Sequence, residues 1–224
     1  WQGFTLDNWK NPCGAPQVCS AVANSIQIGV ISTVVATILG TMIAFALGRH
    51  KFKGRSSTNL LIFLPMATPE VVLGASLLAM FLNLRISPGF WTVVIAHIMF
   101  CISFVVVTVR ARVAGIDPRL EEAGRDLYAK PSQVWWKITF PLLLPGIVSA
   151  ALLAFALSFD DFIITNFNRG AVDTLPSFIY TAAARGIPAE ANVLASAVFI
   201  IAIVAVLITE VGGEIRRKRL GITQ

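Results

Sequence analysis

The sequence predicts an all-α polytopic membrane protein, and three observations carry that expectation. Only 13 % of the 224 residues are charged, against roughly 25 % in a soluble domain. Five apolar stretches, 25–48, 60–82, 91–109, 142–165 and 191–209, match the about 20 helical residues needed to cross a bilayer. Lysine and arginine also collect in alternate connections, as they do where one membrane face is cytoplasmic. Backbone in lipid must satisfy its own hydrogen bonds, and each stretch is too long for a strand, so all five are predicted as helices.

Residues 1–24 are polar and carry Pro12, Gly14 and Pro16. They read as an extracytoplasmic segment. A chain that opens outside with no leader implies a further span ahead of it, so six spans are expected in the complete protein. Cys13 and Cys19 stand in this segment, where oxidation is possible. A disulfide between them and a pair of free thiols both remain open.

Span one sets Ala36, Gly40, Ala44 and Gly48 four residues apart. Such a stripe lets a second helix approach closely. Span two contains Pro65 and Pro69, then Glu70, and proline bends or breaks a helix. Measured along a straight helix from Leu60, Glu70 lies about 15 Å deep. A carboxylate at that depth needs a wet cavity or a partner. Span three carries His97, read as a hydrogen-bonded packing residue, and Cys101, also packing. Phe90 and Trp91 suit the interface. Span four opens with Pro141 and Pro145 and ends on Asp160 and Asp161. Carboxylates at a helix C-terminus oppose its dipole, so these two read either as a solvated end or as attraction for a cation. A short helix is expected over 178–184.

Orientation follows from the basic residues. Arg49, Lys51, Lys53 and Arg55, then Arg110, Arg112, Arg119, Arg125, Lys130 and Lys137, then Arg216, Arg217, Lys218 and Arg219 lie on one side. Only Lys10, Arg85, Arg169 and Arg185 lie on the other. The first side is therefore predicted to be cytoplasmic, and with it the basic tail 210–224. Topology accounts for the net charge of +6, so no nucleic-acid partner is expected.

The loop 115–141 is the most specific segment. Asp117 and Pro118 open a helix. Glu121 and Glu122 sit at its positive end. Leu120, Ala123 and Leu127 share one face. Pro131 disfavours helix at Lys130, so three turns are expected, followed by a second short helix from Pro131 toward Lys137. Trp135 and Trp136 suit the membrane interface.

This loop resembles the signature of permease subunits of ABC importers, Glu-Ala-Ala, three residues, Gly, nine residues, then Ile-x-Leu-Pro. Glu122 and Ala123 match, Gly124 stands for the second Ala, Tyr128 for Gly, and Ile138, Phe140 and Pro141 close the pattern. Tyr128 is the departure that matters, because Gly enters a left-handed turn cheaply and Tyr does not. The resemblance extends over almost the whole chain and is closest to one permease of the spermidine/putrescine importers. It is carried by WQGFTLDNW (1–9), CISFVVVTVRARV (101–113) and ALSFDDFIITN (156–166).

The resemblance implies a type I importer permease fold over 25–209, in a bacterial inner membrane. It implies polyamine translocation, and the chemistry of Glu70, Asp160 and Asp161 separately suggests that these carboxylates line the path of a cation. The resemblance also implies a coupling helix gripped by an ATPase dimer through Glu121, Glu122, Ala123, Gly124, Arg125, Asp126 and Tyr128. A second permease subunit, an extracytoplasmic solute-binding protein and lipid are the other expected partners. The sequence holds no Gly-x-x-x-x-Gly-Lys loop, so ATP and Mg belong on partner chains. No catalytic constellation and no metal cluster is visible. The rivals are an importer of iron, thiamine, phosphate esters or sugars, an ion-coupled carrier using Glu70, and a membrane-embedded enzyme.

Overall fold

A computed structural model describes residues 7–184, 186–201 and 203–204. Among the described residues all regular structure is helical. The helices are α1 (Asp7–Lys10), α2 (Val18–Arg49), α3 (Arg55–Ala67), α4 (Glu70–Asn83), α5 (Phe90–Ala114), α6 (Arg119–Asp126), α7 (Pro131–Val134), α8 (Phe140–Asp160), α9 (Ile163–Asn168), α10 (Leu175–Ala183) and α11 (Ala189–Ile201). Among the described residues three runs are long and apolar enough to cross a membrane: α2, α5 and Pro131–Asp160. The pair α3 and α4 passes the same test when taken together, with a bend of 108° between its halves. The expected fifth span begins within α11. Its remainder, with the tail 210–224 and residues 1–6, lies outside the described residues.

The bend in span two follows from Pro69. The residue before proline avoids helical backbone, and Thr68 is extended, at φ −83° and ψ 132°. Thr68 closes α3 through its N–H and its hydroxyl, both donated to the Leu64 carbonyl. α4 then starts at Glu70, whose charge favours a helix N-terminus. The straight helix assumed from Leu60 to Glu70 therefore ends at Ala67, and the axis turns just before Glu70.

The apolar stretch of span four reaches Thr165, but the helix ends at the aspartate pair that the sequence marks as a helix terminus: α8 stops at Asp160, and Asp161 is extended, at ψ 126°. The chain turns there because the Asp161 carboxylate receives the N–H groups of Ile164 and Thr165 at 3.3 and 2.7 Å, opening α9. At the other end of this span, residues Trp135–Thr139 form a π turn in which Phe140 N–H reaches the Trp135 carbonyl. The wider turn accommodates Pro141, whose missing N–H and bulky ring disrupt an α-helical turn.

Residues 23–177 form one compact unit. Its core gathers Ala36, Ala44, Leu47, Leu73, Leu77, Phe81, Phe100, Val105, Val109 and Leu143 around α5. The small stripe of α2 packs on α5: a Cβ on Gly40 would lie 2.6 Å from Val105, and one on Gly48 2.5 Å from Val113. On α8, a Cβ on Gly146 would lie 2.7 Å from the Arg112 stem, and Arg112 Nε donates to the Leu142 carbonyl at 2.9 Å. Asn168 ends α9 by donating to the carbonyls of Ile164 and Gly74, while its own carbonyl receives the Gly89 N–H and the Thr92 hydroxyl.

Among the described residues, the second unit combines 7–22 with those between 178 and 204. Val18, Ala21, Phe178 and Ala191 are its buried apolar residues. Cys13 and Cys19 are joined by a disulfide, with Cα atoms 5.4 Å apart.

Candidate functional site

Two places in the 23–177 unit gather the residues singled out by the sequence. The first is a cavity of about 530 Å³ lined by Glu70, Phe100, Leu153, Ala156, Leu157, Asp160, Asp161, Phe162 and Ile163. Glu70 thus meets an aspartate pair that begins 90 residues further along the sequence, at one cavity. The break at Pro69 delivers Glu70, and the stop at Asp160 delivers the pair. The remaining lining is aliphatic or aromatic.

The three carboxylates are not equivalent. Glu70 and Asp160 are exposed. The Asp161 side chain is only 4 % exposed, and its oxygens are taken by Ile164 N–H, Thr165 N–H and His97 Nε2, the last at 3.2 Å. Neighbours on one helix diverge by about 100°, which alone would point two adjacent aspartates in different directions. Here the helix itself ends between them, which separates their roles more sharply. His97 is buried and hydrogen-bonded, at 2.7 Å to Ser158 Oγ and 2.9 Å to Thr165 Oγ1. Its link to Asp161 was not foreseen, since their spacing in sequence carries no helical period.

The second place is the loop 115–141. Asp117 Oδ1 receives the Arg119 N–H at 2.9 Å, so the expected cap forms one residue away from the expected start. α6 spans eight residues, about two turns rather than three. It ends where Tyr128 takes φ +60°. Tyr128 N–H bonds the Arg125 carbonyl and Ala129 N–H bonds the Gly124 carbonyl. That pair of bonds is the Schellman closure, with Tyr128 at the left-handed position usually given to glycine. The turn thus keeps the geometry of a glycine while holding a tyrosine.

Of the seven residues expected to contact an ATPase, Glu122, Ala123, Arg125, Asp126 and Tyr128 are exposed. Gly124 is buried, and a Cβ there would meet Ile138 Cδ1 at 2.6 Å. Glu121 turns inward and pairs with Arg49 at 3.3 Å, an approach without hydrogen-bond alignment. Arg49 also donates to the Ile116 carbonyl at 3.1 Å. The face of Leu120, Ala123 and Leu127 is exposed rather than packed. Trp135 lies edge-on to Phe45 with centroids 4.7 Å apart, while Trp136 is exposed.

Among the described residues no group of three His, Cys, Asp or Glu side chains is arranged to hold a metal ion.

Residues 24–220 match the family described as the binding-protein-dependent transport system inner membrane component. The chain is 34 % identical over 211 residues to the spermidine/putrescine transport system permease protein PotC of Haemophilus influenzae, covering 94 % of this chain and 82 % of that protein. It is 35 % identical to PotC of Escherichia coli K12, covering 94 % and 80 %. The putrescine transport system permease protein PotI of the same strain is 34 % identical over 204 residues, covering 88 % and 73 %. Among solved structures, a bacterial alginate ABC transporter in complex with a pentasaccharide-bound periplasmic protein superposes with TM-score 0.68 at 17 % identity, covering 98 % of this chain and 85 % of that one. An amino acid ABC transporter with histidines gives 0.66 at 16 % identity, covering 96 % and 100 %. These structures share the fold, that of type I ABC importer permeases. The chain belongs to the family of binding-protein-dependent transport system inner membrane components.

Proposed function

We propose that this chain is one of two permease subunits of an ATP-driven importer, and that its substrate is a polyamine such as spermidine or putrescine. The observation that carries the substrate reading is the meeting of Glu70, Asp160 and Asp161 at one cavity with an otherwise apolar lining. A polyamine is a chain of methylenes with ammonium groups. Exposed carboxylates attract the ammonium groups, and the Leu153–Leu157 surface accepts the methylenes. Relatives named for spermidine and putrescine transport support the same substrate.

The loop 115–141 faces the cytoplasm in this reading, with the basic residues around it. ATP and Mg are bound by two partner ATPase subunits that dock on the exposed side of α6, through Glu122, Arg125, Leu127 and Tyr128. Glu121 and Gly124 act from behind, holding α6 to α2 and to the π turn. A second permease completes the path, and a solute-binding protein delivers substrate at the opposite face. Movement of α6 with the ATPases rocks the spans between inward-open and outward-open states around the fixed cavity.

The test is ATP hydrolysis by the purified complex when its binding protein is loaded with different solutes. Spermidine or putrescine should stimulate hydrolysis several-fold, and maltose, thiamine or ferric citrate should not. Stimulation by one of these and none by a polyamine would overturn the substrate.

A further inference from the structure

His97 sits on α5, one layer behind the cavity, and 1 % of its side chain is exposed. Each ring nitrogen has partners. Nδ1 lies 2.7 Å from Ser158 Oγ on α8. Nε2 lies 2.9 Å from Thr165 Oγ1 on α9 and 3.2 Å from Asp161 Oδ2 at the elbow between them. Ser158 and Thr165 are buried too. A neutral imidazole satisfies all three contacts in one tautomer. The Nε2 proton is shared by Asp161 and Thr165, and Nδ1 accepts the Ser158 hydroxyl.

Two further polar ties run between α5 and these helices: the Cys101 thiol donates weakly to the Ala154 carbonyl at 3.5 Å, and the Thr92 hydroxyl donates to the Asn168 carbonyl at the far end of α9 at 2.7 Å. The elbow matters because Asp160, Asp161, Phe162 and Ile163 all line the cavity. The His97 contacts occupy Asp161, so that carboxylate builds the wall, while Asp160 stays exposed to the interior. Enclosed in this way, the Ser158–His97–Asp161 trio has no open side for a second reactant, so a hydrolytic role is not assigned to it.

We propose that His97 is the positioning residue of the substrate cavity: it locks the α8–α9 elbow against α5, so that Asp160 alone of the aspartate pair is left to meet a cation. This rests on reading the cavity as the substrate path. Glutamine and asparagine separate the roles of the two ring nitrogens. Glutamine places its amide near the Nε2 position and can serve Asp161 and Thr165. Asparagine reaches only toward Ser158 and abandons them.

The test is spermidine uptake into proteoliposomes holding the complete transporter, with rates normalised to embedded complex. His97→Gln should transport within about twofold of the native complex, and His97→Asn about tenfold more slowly, the loss expected for a buried hydrogen bond to a charged group. The concentration of loaded binding protein giving half-maximal rate should stay unchanged in both. In an Asp161→Asn background, His97→Asn should cost less than twofold further, because the charge it left unpaired is gone. If His97→Asn alone does not assemble, Asp161→Asn should restore its assembly. Equal impairment by Gln and Asn, full activity of His97→Asn, or an Asn defect that persists undiminished beside Asp161→Asn would overturn the proposal. Failure of the native complex to move spermidine would sink the substrate reading instead. The same variants would then be ranked by hydrolysis of ATP stimulated with the solute that the complex does accept.

Discussion

Tyr128 shows how one residue can depart from a family pattern and still obey its geometry. A left-handed conformation costs a non-glycine residue about 1–2 kcal/mol, and the ring recovers nothing from its own chain, being 97 % exposed. Tyr128→Gly should therefore stabilise the isolated permease by about 0.5–1 kcal/mol, the strain removed less the added freedom of the unfolded chain. Thermal unfolding in detergent reads this, and a Tyr128→Ala variant should show no such gain. The sequence alone exposed the conflict, because a position that favours glycine carried a tyrosine. It could not resolve the conflict, since either the backbone or the residue preference had to give way. The Schellman bonds from Tyr128 and Ala129 show that the backbone prevailed. Asp161 illustrates the opposite case. Its neighbour Asp160 looks the same in sequence, and only the tertiary placement of His97 and Thr165 tells the two apart.

At the scale of elements, local signals located most of the helices and long-range ones set their ends. The stripe Ala36, Gly40, Ala44 and Gly48 announced a close crossing, and α5 supplies it with Val105 and Val113. Gly40→Leu should cost about 1–3 kcal/mol through overpacking, measured as a lower thermal midpoint. Met42→Leu, on the exposed face of the same helix, should leave the midpoint where it is. Pro69 announced the break in span two, though not its angle. Asp160 and Asp161 announced the end of α8, though the apolar stretch itself runs on to Thr165 and the turn into α9 was not legible. That turn depends on side-chain bonds from Asp161 to α9, which hydrophobic pattern does not encode. The hold of α2 on α6 is a second long-range feature. Arg49 and Glu121, both with side chains about 15 % exposed, should show a coupling energy of about 1 kcal/mol in a double-mutant cycle. Exchanging the two charges should recover part of the transport lost in each single reversal.

On the scale of the whole molecule, the unit of residues 23–177 places an acidic cavity near one end of α8 and a largely exposed, charged helix α6 beyond its other end. The span α8 connects the two, from the π turn at Trp135–Thr139 to the elbow at Asp161. A tilt of α8 imposed at its proline-rich start would therefore be transmitted to Asp160 at its tip. The apolar stretches predicted a helical membrane fold, and the resemblance predicted the importer-permease family, so the architecture was largely legible in the sequence. The cavity was less so. Glu70 and Asp160 were each suspect because ionisable groups are costly within a membrane, but their meeting depends on two helix breaks acting together. Under the proposed function, this acidic cavity serves a cation whose passage is driven by ATP. Radiolabelled spermidine uptake into proteoliposomes containing the complete transporter tests it most directly, with the paired change Glu70→Gln and Asp160→Asn beside the native complex. The account predicts accumulation that requires ATP on the α6 side and falls at least about tenfold in the paired variant, roughly 1.4 kcal/mol or more in the barrier. Uptake driven by an ion gradient without ATP, or uptake undiminished in the paired variant, would contradict it.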